Sequence, residues 1–363
     1  MGIPLPRALS LGLGGLLAGG AIAGCALSPG SLGPLPRFSI QAEYVAAGVP
    51  GDSSNDWDLR MIGVAPDPIP ALGGAAEVVV AVVDTGVDPA QPALVDRLLP
   101  MVDLVGDDVY NGPGGGANYR GRDGNGHGTH VAGIVEATIG ANNPIALLPV
   151  KAIGHSGVGD DGTIAQGIHR AVDWRDPADP ARRVRVINLS VGGKLSSKIL
   201  EDALAYAISH DVLVVVAAGN RERDVDYPAA LPSAFAVSAT TLKDGLASYS
   251  NRGNSVGISA PGGDNDAAVV STWPTYLTAG DLSRGTTTPH LTSSMVGTSM
   301  ATPHVTGAAA LVFAEDPSLT AMQARVRLEA SATGLGPVGP NGYFGVGRLQ
   351  VDAALARGAH DAH

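Results

Sequence analysis

Patterns typical of buried strands and of amphipathic helices alternate along the chain. Four apolar runs predict strands buried on both faces: "EVVVAVVD", "IALLPVKAI", "VRVINLSVGG" and "DVLVVVAAGN". Between them, "GTIAQGIHRAVDW" and "SSKILEDALAYAIS" repeat apolar positions every three or four residues, which predicts helices. This alternation predicts parallel βαβ units, and therefore an α/β fold with a doubly wound, mostly parallel sheet and helices on both faces.

Polar residues close two of the predicted strands. Asp84 ends the first valine run, and Asn220 ends "VLVVVAAGN". In doubly wound sheets, ligands bind beyond the carboxyl ends of the strands. The pattern therefore predicts that both side chains lie at a functional edge of the sheet.

The chain carries no internal repeat and no signal of a second large domain. Four regions are predicted: a signal peptide over residues 1–24, a tether or lead-in over residues 25–55, one globular domain over residues 56–356, and a tail over residues 357–363. The tether is rich in turn-forming residues and poor in periodicity.

Composition narrows the range of partners. Among 363 residues, 45% are hydrophobic and only 16% are charged, and the formal net charge is -11. Phosphate backbones need a basic face, so the acidic balance and the lack of a basic cluster argue against nucleic acid as a partner.

The N-terminus resembles a bacterial export signal. After Arg7 comes an apolar, glycine-rich stretch that ends in "IAGC", with Cys25 the chain's single cysteine. This ending resembles a lipobox, which implies lipidation of Cys25 and attachment to a membrane of the bacterial cell envelope through an N-terminal lipid. The alternative is an ordinary secretory cleavage site beside Cys25 and a secreted protein.

Three glycine-flanked segments carry the candidate chemistry: "VVDTGVD" with Asp84, "GNGHGTHVAGIV" with His127, and "GTSMATPHVTG" with Ser299. A serine hydroxyl is a weak nucleophile until an imidazole takes its proton and a carboxylate orients that imidazole. The amide of Asn220 can donate to the oxyanion that forms. Taken singly, Asp84 and Asn220 fit turn or cap positions, and Ser299 fits a helix N-cap.

Taken together, these segments resemble the subtilases, the subtilisin-like serine proteases. The order Asp, His, Ser is that of the subtilisin group, and "AAGN" matches its oxyanion segment, over about residues 57–354. The resemblance implies polypeptide substrates, Ser299 as nucleophile, His127 as proton carrier, and Asp84 as its orienting partner. It also implies that Asn220 and the Ser299 backbone N–H hold the oxyanion.

The resemblance further implies where substrate binds. The segment "NLSVGG", with Ser190, Val191 and Gly192, matches the edge to which an extended peptide adds. One wall of the primary specificity pocket is implied for the small residues "AAG", namely Ala217, Ala218 and Gly219. We expect a roomy, neutral pocket that favours large apolar side chains.

Metal ions are not expected to take part in the chemistry. His130 lies near His127 but without a carboxylate at ligand spacing, and His304 is a structural residue in the subtilase pattern. Where the family often has a calcium-binding aspartate, this chain has Ala93, which argues against that structural calcium site. The acidic loops "VGDDVYNG" and "GVGDDG" leave calcium binding elsewhere open.

A folded prodomain is not predicted, since only about 30 residues separate Cys25 from Trp57 and segments under roughly 40 residues rarely fold alone. The leading hypothesis is a serine endopeptidase anchored at the cell envelope. The alternatives are a binding or maturation partner with little general turnover, because of an occluded cleft or one specific substrate, and a structural lipoprotein. The sequence does not predict the physiological substrate or the oligomeric state.

Overall fold

The computed structural model describes residues 37–41, 43–45, 56–64 and 69–361, all within one compact unit, Pro36–His363. The predicted signal peptide, Cys25 and most of the predicted tether lie outside the described residues, as do the last two residues of the tail. Within the described part of the chain, no helix is both long enough and apolar enough to cross a bilayer.

The strands and helices follow in chain order. The strands are β1 Arg37–Ile40, β2 Glu43–Val45, β3 Val78–Asp84, β4 Val102–Asp103, β5 Val109–Tyr110, β6 Ala117–Asn118, β7 Ala146–Lys151, β8 Val158–Asp160, β9 Arg183–Leu189, β10 Val191–Gly192, β11 Leu213–Ala217, β12 Phe235–Thr240, β13 Val256–Pro261, β14 Val269–Thr272 and β15 Thr292–Val296. The helices are α1 Trp57–Met61, α2 His127–Ile139, α3 Asp161–Asp173, α4 Lys198–Ser209, α5 Ala279–Ser283, α6 Thr298–Glu315, α7 Ala321–Ser331 and α8 Val351–Asp361, and a 3₁₀ turn spans Ala75–Glu77.

Seven parallel strands form the central sheet, in the order β13-β12-β11-β9-β3-β7-β4. Strand β3 shows why both faces are buried: Val78, Val80 and Val82 pack into one core, whereas Val79 and its alternate neighbours pack into the other. Side chains of a strand point alternately to opposite faces, so a continuous valine run suits a sheet that is covered on both sides. The predicted α/β fold with a mostly parallel sheet is confirmed.

Helices cover the two faces of the sheet separately. One core joins α2 and α6 to the sheet, and the other joins α3 and α4. Helix α6 is buried along nearly its whole length, from Thr298 to Ala314. Its many small and apolar residues are explained by this burial, because a helix surrounded by protein has no polar face to present.

Two short strands near the N-terminus lie in the segment predicted as a tether. Strand β1 is the middle strand of an antiparallel sheet, β10-β1-β8, and β2 is an edge strand of a second one, β14-β15-β2. Their backbone groups are therefore paired with the globular domain, and this part of the predicted tether is ordered structure.

Candidate active site

Asp84 and His127 meet at the carboxyl edge of the central sheet. Asp84 is the last residue of β3 and His127 the first residue of α2, and the Nδ1 of His127 lies 2.8 Å from the Oδ1 of Asp84. The backbone N–H of Thr85 donates to the same Oδ1 at 2.7 Å. Both side chains are fully buried. The contact therefore holds the His127 ring with its Nδ1 toward Asp84 and its Nε2 away from it.

The opposite side of the imidazole has no partner among the described residues. The Nε2 of His127 is buried without a hydrogen bond, and so is the Oδ2 of Asp84. A buried polar atom left unpaired costs stability, so such atoms are rare outside functional sites. The orphaned Nε2 is the atom that a general base would offer to a nucleophile.

Asp123, which the sequence analysis missed, holds His127 in place. It is fully buried, and its carboxylate accepts hydrogen bonds from the backbone N–H groups of Gly126 and Thr129 and from the hydroxyl of Thr85, at 2.8 to 2.9 Å. Burial raises the pKa of Asp123, although these hydrogen bonds act in the opposite direction. The acidic residue just before "GNGHG" was the available signal, because a carboxylate satisfies the free N–H groups at a helix start.

Glycine is required immediately before His127. Gly126 has a φ of 98°, and a Cβ on it would lie 2.3 Å from the ring of Trp273. Any side chain would therefore both strain the backbone and collide with the tryptophan. The glycine-flanked histidine motif thus reflects a turn packed against an aromatic ring.

Ser299 lies in the first turn of α6. Its Oγ donates to the carbonyl oxygen of Ser190 at 3.0 Å, and its own carbonyl oxygen accepts from the Oγ of Ser190 at 3.1 Å. Pro303, four residues later, has no N–H to donate to the Ser299 carbonyl, which frees that carbonyl for Ser190. Proline inside the helix thereby ties the nucleophile candidate to the substrate-binding edge.

Asn220 reaches the same helix start through its amide oxygen. Its Oδ1 accepts hydrogen bonds from the backbone N–H of Thr298 at 2.9 Å and from the Thr298 hydroxyl at 2.8 Å. Because the oxygen end of the amide is held by Thr298, the NH₂ end is the one available to an oxyanion. The structure therefore brings Asn220 next to the nucleophile candidate.

The predicted substrate edge lies against the N-terminal strand. Val191 and Gly192 form β10, which pairs antiparallel with β1. The backbone N–H of Gln41, the residue after β1, donates to the carbonyl oxygen of Ser190 at 3.2 Å. An extended segment of this chain thus lies on Ser190, Val191 and Gly192.

The expected specificity pocket is bordered by charge. Ala217 ends β11, the carbonyl oxygen of Ala218 accepts from the N–H of Asp226 at 2.9 Å, and a Cβ on Gly219 would lie 2.7 Å from an Asp226 oxygen. Asp226 is 2% exposed and forms ion pairs with Arg221 and Arg223. Ala218 and Gly219 therefore lie beside a buried, ion-paired carboxylate, whose position no local sequence pattern predicts.

Two further histidines of the described residues, His130 and His304, have structural contacts. The Nε2 of His130 lies 3.0 Å from the Ser293 carbonyl oxygen, and burial lowers its pKa to about 3. His304 bridges the Met300 carbonyl oxygen and Asp58, at 2.8 and 3.1 Å. Across the described residues, no group of three or more His, Cys, Asp or Glu side chains is arranged to hold a metal ion.

Comparisons with known proteins define the class. Residues 75–347 match the model of the subtilase family, Peptidase_S8. The chain is 34% identical over 319 residues to the minor extracellular protease Epr of Bacillus subtilis (strain 168), covering 86% of this chain and 43% of Epr. It is 33% identical over 292 residues to subtilisin DY of Bacillus licheniformis, covering 77% of this chain and 91% of that protein.

A third relative is subtilisin Savinase of Lederbergia lenta, 37% identical over 242 residues, covering 64% of this chain and 78% of that protein. The family match spans both the central sheet and the two helices that begin at His127 and Thr298. The chain therefore belongs to the subtilase family, the subtilisin-like serine endopeptidases.

Proposed function

We propose that the chain hydrolyses peptide bonds through an acyl-enzyme formed on Ser299, with His127 as general base and then general acid. The observation that carries this proposal is the buried pair of Asp84 and His127, whose Nε2 is unpaired. Asp84 stabilises the imidazolium that forms when His127 takes the serine proton. Asn220 and the Ser299 backbone N–H stabilise the oxyanion of the tetrahedral intermediate.

Substrate binds as an extended strand between β10 and β8. Strand β1 already occupies this position, with backbone pairs on both sides. The side chain of Gln41 is buried there, and its Nε2 donates to the carbonyl oxygen of Gly192 at 3.0 Å. We therefore expect cleavage after unbranched side chains that donate a hydrogen bond, such as glutamine, in place of the large apolar residues expected from the sequence.

A peptide panel tests this preference. Peptides of the form Arg-Phe-Ser-Ile-X, followed by a fluorogenic leaving group, would be compared with X as glutamine, leucine or phenylalanine. Higher kcat/KM for glutamine supports the proposal, whereas higher kcat/KM for phenylalanine restores the apolar expectation.

The proposed location is the bacterial cell envelope, with a lipid on Cys25 as the anchor and secretion as the alternative. The lipobox-like "IAGC" supports the anchor, and the name of Epr, an extracellular protease, supports a place outside the cytoplasm. Cys25→Ser is expected to leave the precursor unprocessed and to release the protein from the membrane fraction. A variant that still sediments with membranes contradicts the anchor.

A maturation partner with little general turnover is the second candidate function. The observation that favours it is the occupied groove, since β1 fills the position that a foreign peptide needs. Under this second function, we expect an active-site probe to label Ser299 only after the groove is emptied.

A fluorophosphonate probe tests the enzymatic function directly. The wild-type chain is expected to be labelled on Ser299, with Ser299→Ala as the unlabelled control. A groove-emptied variant, Phe38→Ser, is tested in parallel, because β1 competes with the probe. Absence of labelling in both folded proteins would overturn the endopeptidase proposal.

A further inference from the structure

A buried hydrogen-bond network leads from the middle of helix α6 to the backbone of Ser299. The Thr306 hydroxyl donates to the Oδ1 of Asn188 at 2.9 Å, and the Nδ2 of Asn188 donates to the Oγ of Ser190 at 3.0 Å. The Ser190 hydroxyl then donates to the Ser299 carbonyl oxygen at 3.1 Å. All four residues are fully buried, so solvent does not compete for these hydrogen bonds.

The network joins the middle strand of the central sheet to one face of α6. Asn188 lies in β9, the fourth of the seven strands, and pairs in register with Val82 of β3 and Val215 of β11. On the helix, Ser299 and Thr306 are seven residues apart, which places them on the same face, about two turns from each other. Strand and helix are therefore linked at two points, one at the nucleophile candidate and one two turns behind it.

Thr306 uses its hydroxyl differently from two other buried threonines of α2 and α6. Thr302 and Thr138 donate to carbonyl oxygens four residues earlier in their own helices, at 2.7 and 2.8 Å. This is a common hydrogen bond for a threonine inside a helix. Because a hydroxyl has only one proton, Thr306 gives up this local hydrogen bond when it donates to Asn188.

The hydroxyl of Thr306 determines which way the Asn188 amide points. With its oxygen held by Thr306, the amide turns its NH₂ group to Ser190, whose own proton is then left for Ser299. If the amide were reversed, its oxygen would face Ser190 and compete for that proton. The Ser299 carbonyl would then lose its donor, and Pro303 has no N–H to replace it.

We propose that Thr306 is a positioning residue for the nucleophile, acting through Asn188 and Ser190, a role that rests on the proposed endopeptidase function. The network holds the first turn of α6 against the sheet. That turn carries the Ser299 hydroxyl and the Ser299 N–H, which donates to the Gln41 carbonyl oxygen at 3.0 Å. Loss of the network leaves the walls of the groove in place but lets the nucleophile shift, so kcat should fall while KM stays unchanged.

Thr306→Val tests this role, because valine has nearly the shape of threonine but no hydroxyl. In the full chain, we expect kcat for the glutamine peptide to fall about tenfold or more, with KM within about twofold of wild type. Thr306→Ser restores the donor and should bring kcat back to within about threefold of wild type. The rate of fluorophosphonate labelling should change in the same way as kcat in both variants.

Thr138→Val is the matched control. Thr138 is also fully buried and packs against α6, since a Cβ on Gly307 would lie 2.7 Å from the Cβ of Thr138, but its hydroxyl donates within α2. We expect kcat of this variant to stay within about twofold of wild type, whatever its melting temperature. A kcat that falls together with melting temperature in both valine variants would indicate a general packing effect and overturn the positioning role.

A double-mutant cycle shows whether the effect passes through Ser190. Ser190→Ala removes the hydroxyl that donates to Ser299 and keeps the backbone at the substrate-binding edge. If Thr306 acts through that hydroxyl, adding Thr306→Val to Ser190→Ala should lower kcat by less than about twofold further. A further loss as large as that of Thr306→Val alone contradicts this path.

The outcomes separate this inference from the proposed function. A wild-type protein that labels with fluorophosphonate and cuts peptides, together with an unchanged kcat in Thr306→Val, overturns the positioning role alone. Absence of labelling in both wild type and Phe38→Ser overturns the endopeptidase proposal together with this one.

Discussion

Two histidine–carboxylate pairs lie at the same edge of the sheet and differ in how many of their polar atoms have hydrogen-bond partners. His127 and Asp84 are 2.8 Å apart, and His155 and Asp108 are 2.6 Å apart. The two pairs lie close together, because Asp84 at the end of β3 pairs in register with Lys151, the buried cation that contacts Asp108.

In the second pair, both carboxylate oxygens have partners. The Oδ2 of Asp108 accepts from the Nζ of Lys151 and from the backbone N–H of His155, at 2.9 and 2.8 Å, and its Oδ1 faces the imidazole. In the first pair, the far oxygen of Asp84 and the far nitrogen of His127 are unpaired. Satisfied hydrogen bonds stabilise a fold, whereas a buried unpaired base is available for chemistry.

Substituting the residues of the first pair, or Ser299, should lower kcat far more than substituting His155 of the second pair. By analogy with subtilisin, a relative of this chain, we expect kcat to fall on the order of a millionfold in Ser299→Ala or His127→Ala. In Asp84→Asn we expect it to fall about ten-thousandfold. His155→Ala touches no reacting atom and should keep kcat within about threefold. Peptide hydrolysis assays measure all four. Equal losses in His127→Ala and His155→Ala would erase the distinction.

Removing the charge of Lys151 from its cluster with Asp108 and His155 should instead lower the free energy of unfolding. Lys151 is fully buried and donates to Asp108 and to the carbonyl oxygens of Tyr119 and Arg122. Lys151→Met in a Ser299→Ala background, which prevents autolysis, should lose about 3–5 kcal/mol of unfolding free energy in urea titrations.

The control for that measurement is Lys243→Met. Lys243 forms an ion pair with Asp266 in which both side chains are largely exposed, and solvent screens such pairs. Its denaturation midpoint should equal that of the background. A Lys151→Met variant as stable as this control would show that the contacts of Lys151 contribute nothing to the free energy of unfolding.

Acid should act on the fold through His130, a buried histidine outside these two pairs. Burial holds the pKa of His130 at about 3, against an ordinary 6.5, so the folded protein keeps it neutral while the unfolded chain takes up a proton. This contribution to stability is complete above pH 6.5 and is lost as pH falls toward 3. His130→Gln in the Ser299→Ala background should show a weaker decline in melting temperature from pH 7 to pH 4. An unchanged decline contradicts this origin.

Chelation should have the smallest effect. Residue Gln91 holds the turn that contains Ala93: its Nε2 donates to the Trp273 carbonyl oxygen at 2.7 Å, and its Oε1 accepts from the Ala93 N–H at 3.1 Å. We expect EDTA to change the melting temperature by less than about 2 °C, since a ligand that is not bound adds no stability. A large decrease would indicate calcium at another site, such as the acidic loops.

The sheet was predictable because its strands are buried on both faces. Runs such as Val78–Asp84 contain almost no polar residue, so periodicity and length identify them without tertiary information. The triad candidates were predictable for a related reason: each lies at a strand end or helix start, within two residues of a glycine.

Other features depend on contacts between distant segments. Residues 37–40 and 43–45 lack the length and periodicity of an isolated strand, and they pair only because the rest of the domain supplies partners in β8, β10 and β15. Asp226 is a loop residue in sequence, and its position beside Gly219 depends on how that loop folds back. Local sequence patterns therefore do not predict either contact.

The strand in the groove has a consequence for effective concentration. Because β1 belongs to the same chain as the groove, its effective concentration there is on the order of millimolar, however dilute the protein is. A foreign peptide therefore has to compete with a strand that is always present, and diluting the protein does not weaken that competition.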